Sequence, residues 1–368
     1  MKAWNRLAGA ACALSIVASA CGGSDAPAAP AGDARATAGD ATLNLLVAVQ
    51  GDVKVKREGW SEYARALFGI PVRSGDLLKL DSGSQARVAC SDLTVVEVPG
   101  GVSGAPCKVS QPVLVYKGAQ VNATRAMPSS DYPVIITPRK TRLLNPRPLL
   151  RWTPVAGAEA YKVVVRGPDV EWSAETGQTE MAYPESAPQL APGSAYKLSV
   201  TTGDRASDEE GTPGLGFTIL SADEAQAVRD AEARVKALGL DDAPTRLLIA
   251  SLYANRELTA EAIEQLEALS NGSQEPAVMR LLGDLYLRIG LNYLAEEHYL
   301  KALEASRQAD DVEGEAAAHH VLGQLYEAMG NREAAVEHLQ EAIALYEKLG
   351  DAATVKNIRE RLAQIQGA

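Results

Sequence analysis

The sequence predicts a multidomain chain: an all-β N-terminal half built as two modules, then an all-α C-terminal repeat solenoid. Three observations carry that expectation. Residues 41–126 alternate apolar and polar side chains in short runs broken by glycine, the period of strands and tight turns. A second β pattern runs from Pro133 to Leu220, with turn signals at the spacing of a sandwich. After Ser221 the pattern becomes helical and repeats at a spacing of 40 residues. The 368 residues suffice for two or three domains. Charge divides the chain in the same place. From Ser221 onward there are 14 Lys and Arg against 26 Asp and Glu, within a whole-chain net charge of −11. With aromatic residues at 5% and no basic stripe to neutralise phosphates, no nucleic-acid partner is expected.

The chain opens MKAWNRLAGAACALSIVASACGGSD. Lys2 and Arg6 precede an uncharged apolar stretch over 7–20. That stretch is short of the roughly 20 residues a membrane span needs. It suits a secretory leader ending in the small residues Ala18, Ser19 and Ala20, with Cys21 next. Residues 1–20 followed by Cys21 resemble a bacterial lipoprotein signal, although Ala18 stands where that family more often has Leu or Val. The resemblance implies lipidation of Cys21 and membrane attachment through that lipid anchor alone. With Gly22 and Gly23 after the cysteine, it also implies an outer-membrane location facing the periplasm. Residues 21–40, rich in Ala, Gly and Pro, read as a flexible tether with a reach on the order of 25 Å.

Two further cysteines, Cys90 and Cys107, bracket an apolar run and a glycine-rich turn. Taken alone they fit a redox pair, half of a metal site or a staple. The compartment decides. Cys12 leaves with the signal and Cys21 carries lipid, so the remaining two meet an oxidising setting in which disulfides persist. A zinc site needs about four ligands, and no histidine precedes His298. No neighbour in the loop would activate a thiol. A Cys90–Cys107 disulfide is therefore expected, closing a loop worth about 3 kcal/mol.

Residues 41–127 form the first module. The runs Gly51-Asp-Val-Lys-Val-Lys-Arg57, Val72-Arg-Ser-Gly75-Asp76 and Gly83-Ser84-Gln-Ala86-Arg-Val resemble a FecR-like β domain, with Gly51, Gly75, Gly83 and Gly100 at its turns. Helical periodicity there is confined to SEYARALFG, residues 61–69. FecR regulators also carry a cytoplasmic segment and a membrane helix, patterns this sequence lacks, so anti-sigma activity is not carried over. In residues 130–220, the run RWTPVAGAEAYKVVV resembles a fibronectin type III or similar Ig-like sandwich. The resemblance implies that Trp152 fills the core and that Tyr196 faces the opposite sheet. Residues 207–217, SDEEGTPGLGF, lack the Gly-Lys-Ser/Thr of a phosphate loop and read as a connection into the last strand.

Residues 222–368 carry the repeats. Leu282-Gly283, Tyr286, Gly290, Ala295, Tyr299 and Ala302 recur as Leu322-Gly323, Tyr326, Gly330, Ala335, Leu339 and Ala342. A weaker copy has Ile249-Ala250, Tyr253, Ala262 and Leu266. This alternation of large and small residues resembles the tetratricopeptide repeat, with amphipathic helices capping each end. In that family the first helix of each repeat lines a concave face that binds partners. Carried over, the face comprises Arg280, Asp284 and Arg288 in one repeat and His320, Gln324 and Glu327 in the next. It is either a groove for an extended peptide or partner helix, or an ordinary solvated face.

All four histidines lie in the repeats. His298 and His338 are equivalent positions in successive units, too far apart to share a metal, and His319 and His320 point to different faces of one helix. No metal site and no cofactor is expected. The β half has no histidine for a Ser-His-Asp arrangement, and no nucleotide or zinc-protease fingerprint occurs. The expected function is a non-catalytic envelope lipoprotein that scaffolds other envelope proteins or peptides through its repeats. The alternative is a sensor whose FecR-like domain binds a peptide or glycan and whose repeats relay occupancy.

Overall fold

The computed structural model describes residues 42–108, 112–114, 121, 131–207, 214–272 and 274–367. The leader, Cys21, the tether and Asp208-Glu209-Glu210 lie outside the described residues.

The first β region has eight strands: β1 (Asn44–Gln50), β2 (Val53–Lys56), β3 (Ala64–Arg65), β4 (Pro71–Val72), β5 (Leu77–Leu80), β6 (Gln85–Ala89), β7 (Val95–Glu97) and β8 (Gly101–Gly104). They form two sheets, ordered β4-β1-β6-β7 and β3-β2-β5-β8. The alternation in the sequence sets their faces: Val53 and Val55 are buried while Lys54 and Lys56 on the same strand are not. Gly51 turns β1 into β2 at φ +80°, and a Cβ there would lie 2.6 Å from Ser84 Oγ. At the turn before β8, Gly101 rather than Gly100 takes the positive φ. The expected helical run 61–69 is instead irregular chain around the short strand β3, pinned to β2 by Ala66 N donating to Val53 O at 2.8 Å. Pairing with β2 outweighs the weak local helical pattern. A disulfide joins Cys90 and Cys107, with Cα atoms 5.5 Å apart. It links the end of β6 to chain beyond β8, so it staples one sheet to the other rather than two neighbouring strands.

The second β region comprises β9 (Ile135–Thr137), β10 (Thr141–Leu143), β11 (Leu149–Trp152), β12 (Tyr161–Gly167), β13 (Val170–Thr176), β14 (Glu180–Ala182), β15 (Ala195–Thr202), β16 (Arg205–Ala206) and β17 (Phe217–Ile219). One sheet runs β10-β17-β15-β12-β13 with β16 beside β15, and the other runs β14-β11-β9. Their inner faces share a core. Trp152, 1% exposed, meets Tyr161 edge-on at 5.6 Å, and Tyr196 stacks on Phe217 at 5.7 Å. Gly167 is where Tyr196 needs room, since a Cβ there would sit 2.2 Å from its ring.

Eight helices follow: α1 (Ala222–Lys236), α2 (Asp242–Asn255), α3 (Thr259–Ser270), α4 (Pro276–Arg288), α5 (Asn292–Gln308), α6 (Val312–Ala328), α7 (Arg332–Leu349) and α8 (Ala352–Gly367). Ser221 and Glu224 form a capping box at the start of α1, and Pro276 occupies the first turn of α4, where its missing N–H costs nothing. The pairs α2/α3, α4/α5 and α6/α7 are the three repeats, with α1 and α8 at the ends. The small residues explain the close approach within each pair. A Cβ on Gly283 would lie 2.8 Å from the Tyr299 ring, and one on Gly323 would lie 2.7 Å from Leu339. This C-terminal region, 222–367, is an all-α array of stacked helix pairs.

The regions are not beads on a string. One buried cluster joins Leu43, Leu45, Val47 and Leu93 to helix residues such as Leu247, Val278 and Leu282. A second joins Val55, Trp60, Leu78 and Val88 to Ala277, Ala316, Leu339 and Ile358.

Candidate functional site

The face expected to receive a partner is built from the first helix of each pair, α2, α4 and α6, with α8 beyond. Each of its six candidate residues has a partner within the chain. Arg280 Nη1 lies 3.3 Å from Asp311 Oδ2, and Asp311 caps α6 by accepting from Gly314 N at 2.8 Å. Asp284 accepts from the Tyr299 hydroxyl on α5. Arg288 donates to Ala254 O at 2.8 Å, the C-terminal end of α2. On α6, Gln324 Nε2 lies 3.0 Å from His320 Nε2, and His320 meets the Tyr346 ring edge-on. Glu327 accepts from Arg361 Nε on α8 at 2.7 Å. Apart from the Gln324–His320 contact within α6, these bonds tie neighbouring helices together, and the two sets stand at different parts of the face. Arg280, Asp284 and Arg288 bridge α2 to α6, whereas His320, Gln324 and Glu327 stand beside α7 and α8.

The first β region covers part of this face. Its segment 60–69 runs past the N-terminal ends of the helices in reverse order. Trp60 Nε1 donates to Asp351 Oδ2 at 3.1 Å and Glu62 N to Leu349 O at 3.3 Å, both at the α7–α8 turn. Arg65 Nη1 donates to Ala309 O at 2.9 Å, at the α5–α6 turn. Gly69 then reaches α4 and α2: a Cβ on it would lie 3.1 Å from Ala277 Cβ and 3.6 Å from Leu247 Cδ2. At the opposite end of α2 and α4, Leu43 closes over Ala254, Leu285 and Arg288. The cleft left there has a volume of about 40 Å³, room for a water and not for a peptide.

Arg57 anchors the contact. It is 4% exposed and makes a bidentate pair with Glu313 in the first turn of α6, both bonds at 2.9 Å. Its Nη1 also donates to Asp76 Oδ2 at 2.5 Å and Pro71 O at 2.7 Å. Burial would push the Glu313 carboxyl up, but Arg57, with Arg73 and Arg280 behind it, holds it below the usual range. At Asp311 burial wins over Arg280 and the carboxyl is raised. A sequence reading takes Arg57 as one more cation in a strand, because its partner lies 256 residues away.

The second β region meets the other helix of the first pair. Arg151 pairs with Glu267 on α3 at 3.0 Å, and the Glu257 carbonyl accepts from Arg142 N at 2.9 Å. Glu257 holds φ +62° where the later repeats have Gly290 and Gly330. Glu261, on α3, accepts from Leu144 N at 2.7 Å; burial raises its carboxyl to about 7.

The histidines depart from expectation in one respect. His319 is buried, and its Nδ1 lies 3.0 Å from Nδ1 of His338 on the paired helix. His320 points elsewhere, as helix geometry requires. Desolvation, then His338 and Arg307, depress His319 to about 4. Among the described residues, no group of three or more His, Cys, Asp or Glu is placed to hold a metal. None of the described helices is long and apolar enough to cross a membrane.

Residues 274–348, helices α4 to α7, match the tetratricopeptide repeat family. No curated protein matches the chain. Among solved structures, MamA is similar at 20% identity over 38% of this chain and 87% of its own, with a TM-score of 0.28. BtubC from P. vanneervenii is similar at 21% identity over 39% of this chain and 73% of its own, with a TM-score of 0.29. YrrB, described as a TPR protein with an unusual peptide-binding site, aligns at 20% identity over 39% and 81%, with a TM-score of 0.23. Tetratricopeptide repeats as a class mediate protein–protein interactions.

Proposed function

We propose that the protein is a non-catalytic, lipid-anchored envelope scaffold that holds protein partners on its helical array. The observation that carries the reading is the match of residues 274–348 to an interaction repeat, arranged as stacked helix pairs. Residues 1–40 supply the anchor and tether in this account, with lipid on Cys21 and the folded part on the periplasmic side. The first β region is a FecR-like module; its glycine-turned strands support that reading. The second is a fibronectin type III or Ig-like sandwich. Support comes from its division into β9, β11 and β14 against β12, β15 and β17. Further support is the Tyr196 hydroxyl, which accepts from Ala191 N at 2.7 Å, five residues upstream, as the tyrosine of such sandwiches does.

The partner surface is narrower than the sequence alone suggests. Leu43 and segment 57–69 overlie α2 and the first turns of α4 and α6, which leaves the portion around His320, Gln324 and Glu327. A photo-reactive amino acid at position 324 of the full chain, expressed in cells, should yield a discrete protein adduct. The same probe at position 175, on the exposed side of β13, should not. Adducts at 175 and none at 324 would contradict the scaffold reading. The sensor reading has its own support in the Arg57–Glu313 pair, which joins the first β region to α6.

A further inference from the structure

The outward face of the sheet β3-β2-β5-β8 carries a row of cationic side chains. The register places Arg65 opposite Lys54 and Lys54 opposite Lys79, and Lys79 faces Val102 on β8. The next row sets Lys56 opposite Leu77, with Leu77 facing Gly104. Three cations thus stand directly across from one another on adjacent strands, an arrangement that costs stability. Among the described residues Lys54 is paired with exposed Asp52 at 2.8 Å and more distantly with Asp81, Arg65 donates to Ala309 O, and Lys56 donates to Ser61 O at 3.0 Å. Lys56 lies over the Tyr63 ring, and Lys79 forms no ion pair among the described residues. This basic face belongs to a chain whose overall charge is −11.

Among the described residues the same sheet ends in an open edge. β8 pairs with β5 on one side and with no described strand on the other. Natural edge strands are blunted by charge, proline, a bulge or a cover. The opposite edge, β3, is two residues long and held against the helical array through Arg65. β8 has four residues, Gly-Val-Ser-Gly, with no charge among them, and its Val102 is 59% exposed. Leu77, 37% exposed, lies diagonally beside Val102 on the same face.

The geometry points to β8 as a docking edge for an extended, acidic segment of a partner protein, which adds to the sheet as a fifth strand. Main-chain hydrogen bonds to β8 supply the attachment. Alternate side chains of the added strand project over the outward face. An acidic one there stands two strand spacings, roughly 9.6 Å, from the β5 backbone. Lysine and glutamate side chains together bridge that gap, so Lys79 is the direct partner. Lys56, on β2 and one strand further away, adds a weaker, salt-screened attraction. The methylene stems of those acidic side chains cover Val102 and Leu77. An extended peptide fits better than a lipid surface or a polysaccharide, because neither of those has a backbone to satisfy a strand edge. The site is separate from the helical array, so its failure would leave the scaffold reading standing.

The test uses the purified chain and a fluorescein-labelled peptide of alternating valine and glutamate, followed by fluorescence anisotropy. The expected result is saturable binding that weakens with salt, falls about fivefold or more in Lys79→Glu and falls less in Lys54→Glu. Both substitutions are on the surface, and an unchanged melting temperature shows that each variant folds. A peptide of the same sequence with alternate amides N-methylated keeps its charge but cannot pair with an edge, and it should not bind. Equal binding of the methylated peptide, or no loss in Lys79→Glu, overturns the proposal. So does failure of the unmodified peptide to bind while vesicles of phosphatidylglycerol, or polygalacturonate, do bind.

Discussion

At Gly283 and Gly323 the absence of a side chain makes room for the paired helix. The Tyr299 ring and the Leu339 side chain occupy the space a Cβ would take. Gly283→Ala should therefore destabilise the array by about 1–3 kcal/mol, the usual cost of overpacking a filled core. Urea denaturation followed by far-UV circular dichroism measures it. A change within about 0.5 kcal/mol would mean that the helices part more readily than their packing implies. Such positions were legible from sequence because small and large residues recur at fixed spacing. Arg57 and Arg280 were not, since a salt bridge to Glu313 or Asp311 leaves no local pattern. His319 and His338 likewise meet only because α6 folds back on α7, 19 residues apart in sequence.

The α6–α7 pair carries a pH dependence of its own. His319 and His338 are both depressed below the usual 6.5, burial being the largest cause in each. Arg307 on α5 disfavours a positive charge on either ring, while Glu315 on α6 and Glu337, Glu341 and Glu296 partly offset it. A histidine depressed in the folded state leaves the unfolded state to take protons first. The pair's contribution is complete above about pH 6.5 and is lost as pH falls toward about 4. His319→Gln should flatten that decline. Unfolding free energies compared across this window for both proteins test it, and parallel slopes would show that the histidines do not titrate on unfolding. The repeat pattern announced the helices of this element, but the turn before α6 is less regular. Asp310 there holds φ +53°, where the α7–α8 turn has Gly350.

Across the whole molecule, the sequence divides into β and helical halves with opposite grammars, and those halves appear where the composition changes. Their docking was not legible. Segment 57–69 reads locally as a strand end and a weak helical run, yet it lies across the first turns of four helices. What holds it is a buried ion pair and shared apolar clusters, both properties of the assembled chain. The six residues assigned to the partner face from the repeat register therefore fall into a half overlain by the first β region and a half near α8. The account predicts that the helical array and the first β region open together. Removing Arg57 strands the Asp76 and Glu313 carboxylates, which costs about 3–5 kcal/mol for a buried pair.

Hydrogen-exchange mass spectrometry of the full chain, wild type against Arg57→Ala, measures this directly. Peptides spanning the first turns of α4 and α6 should be as protected as β2 and β5 in the wild type, and in the variant both sets should lose protection by a similar factor. If those helix turns exchange as freely as surface loops in the wild type, or if β2 and β5 open while the helices remain protected, the β region does not cover the array and the account is contradicted.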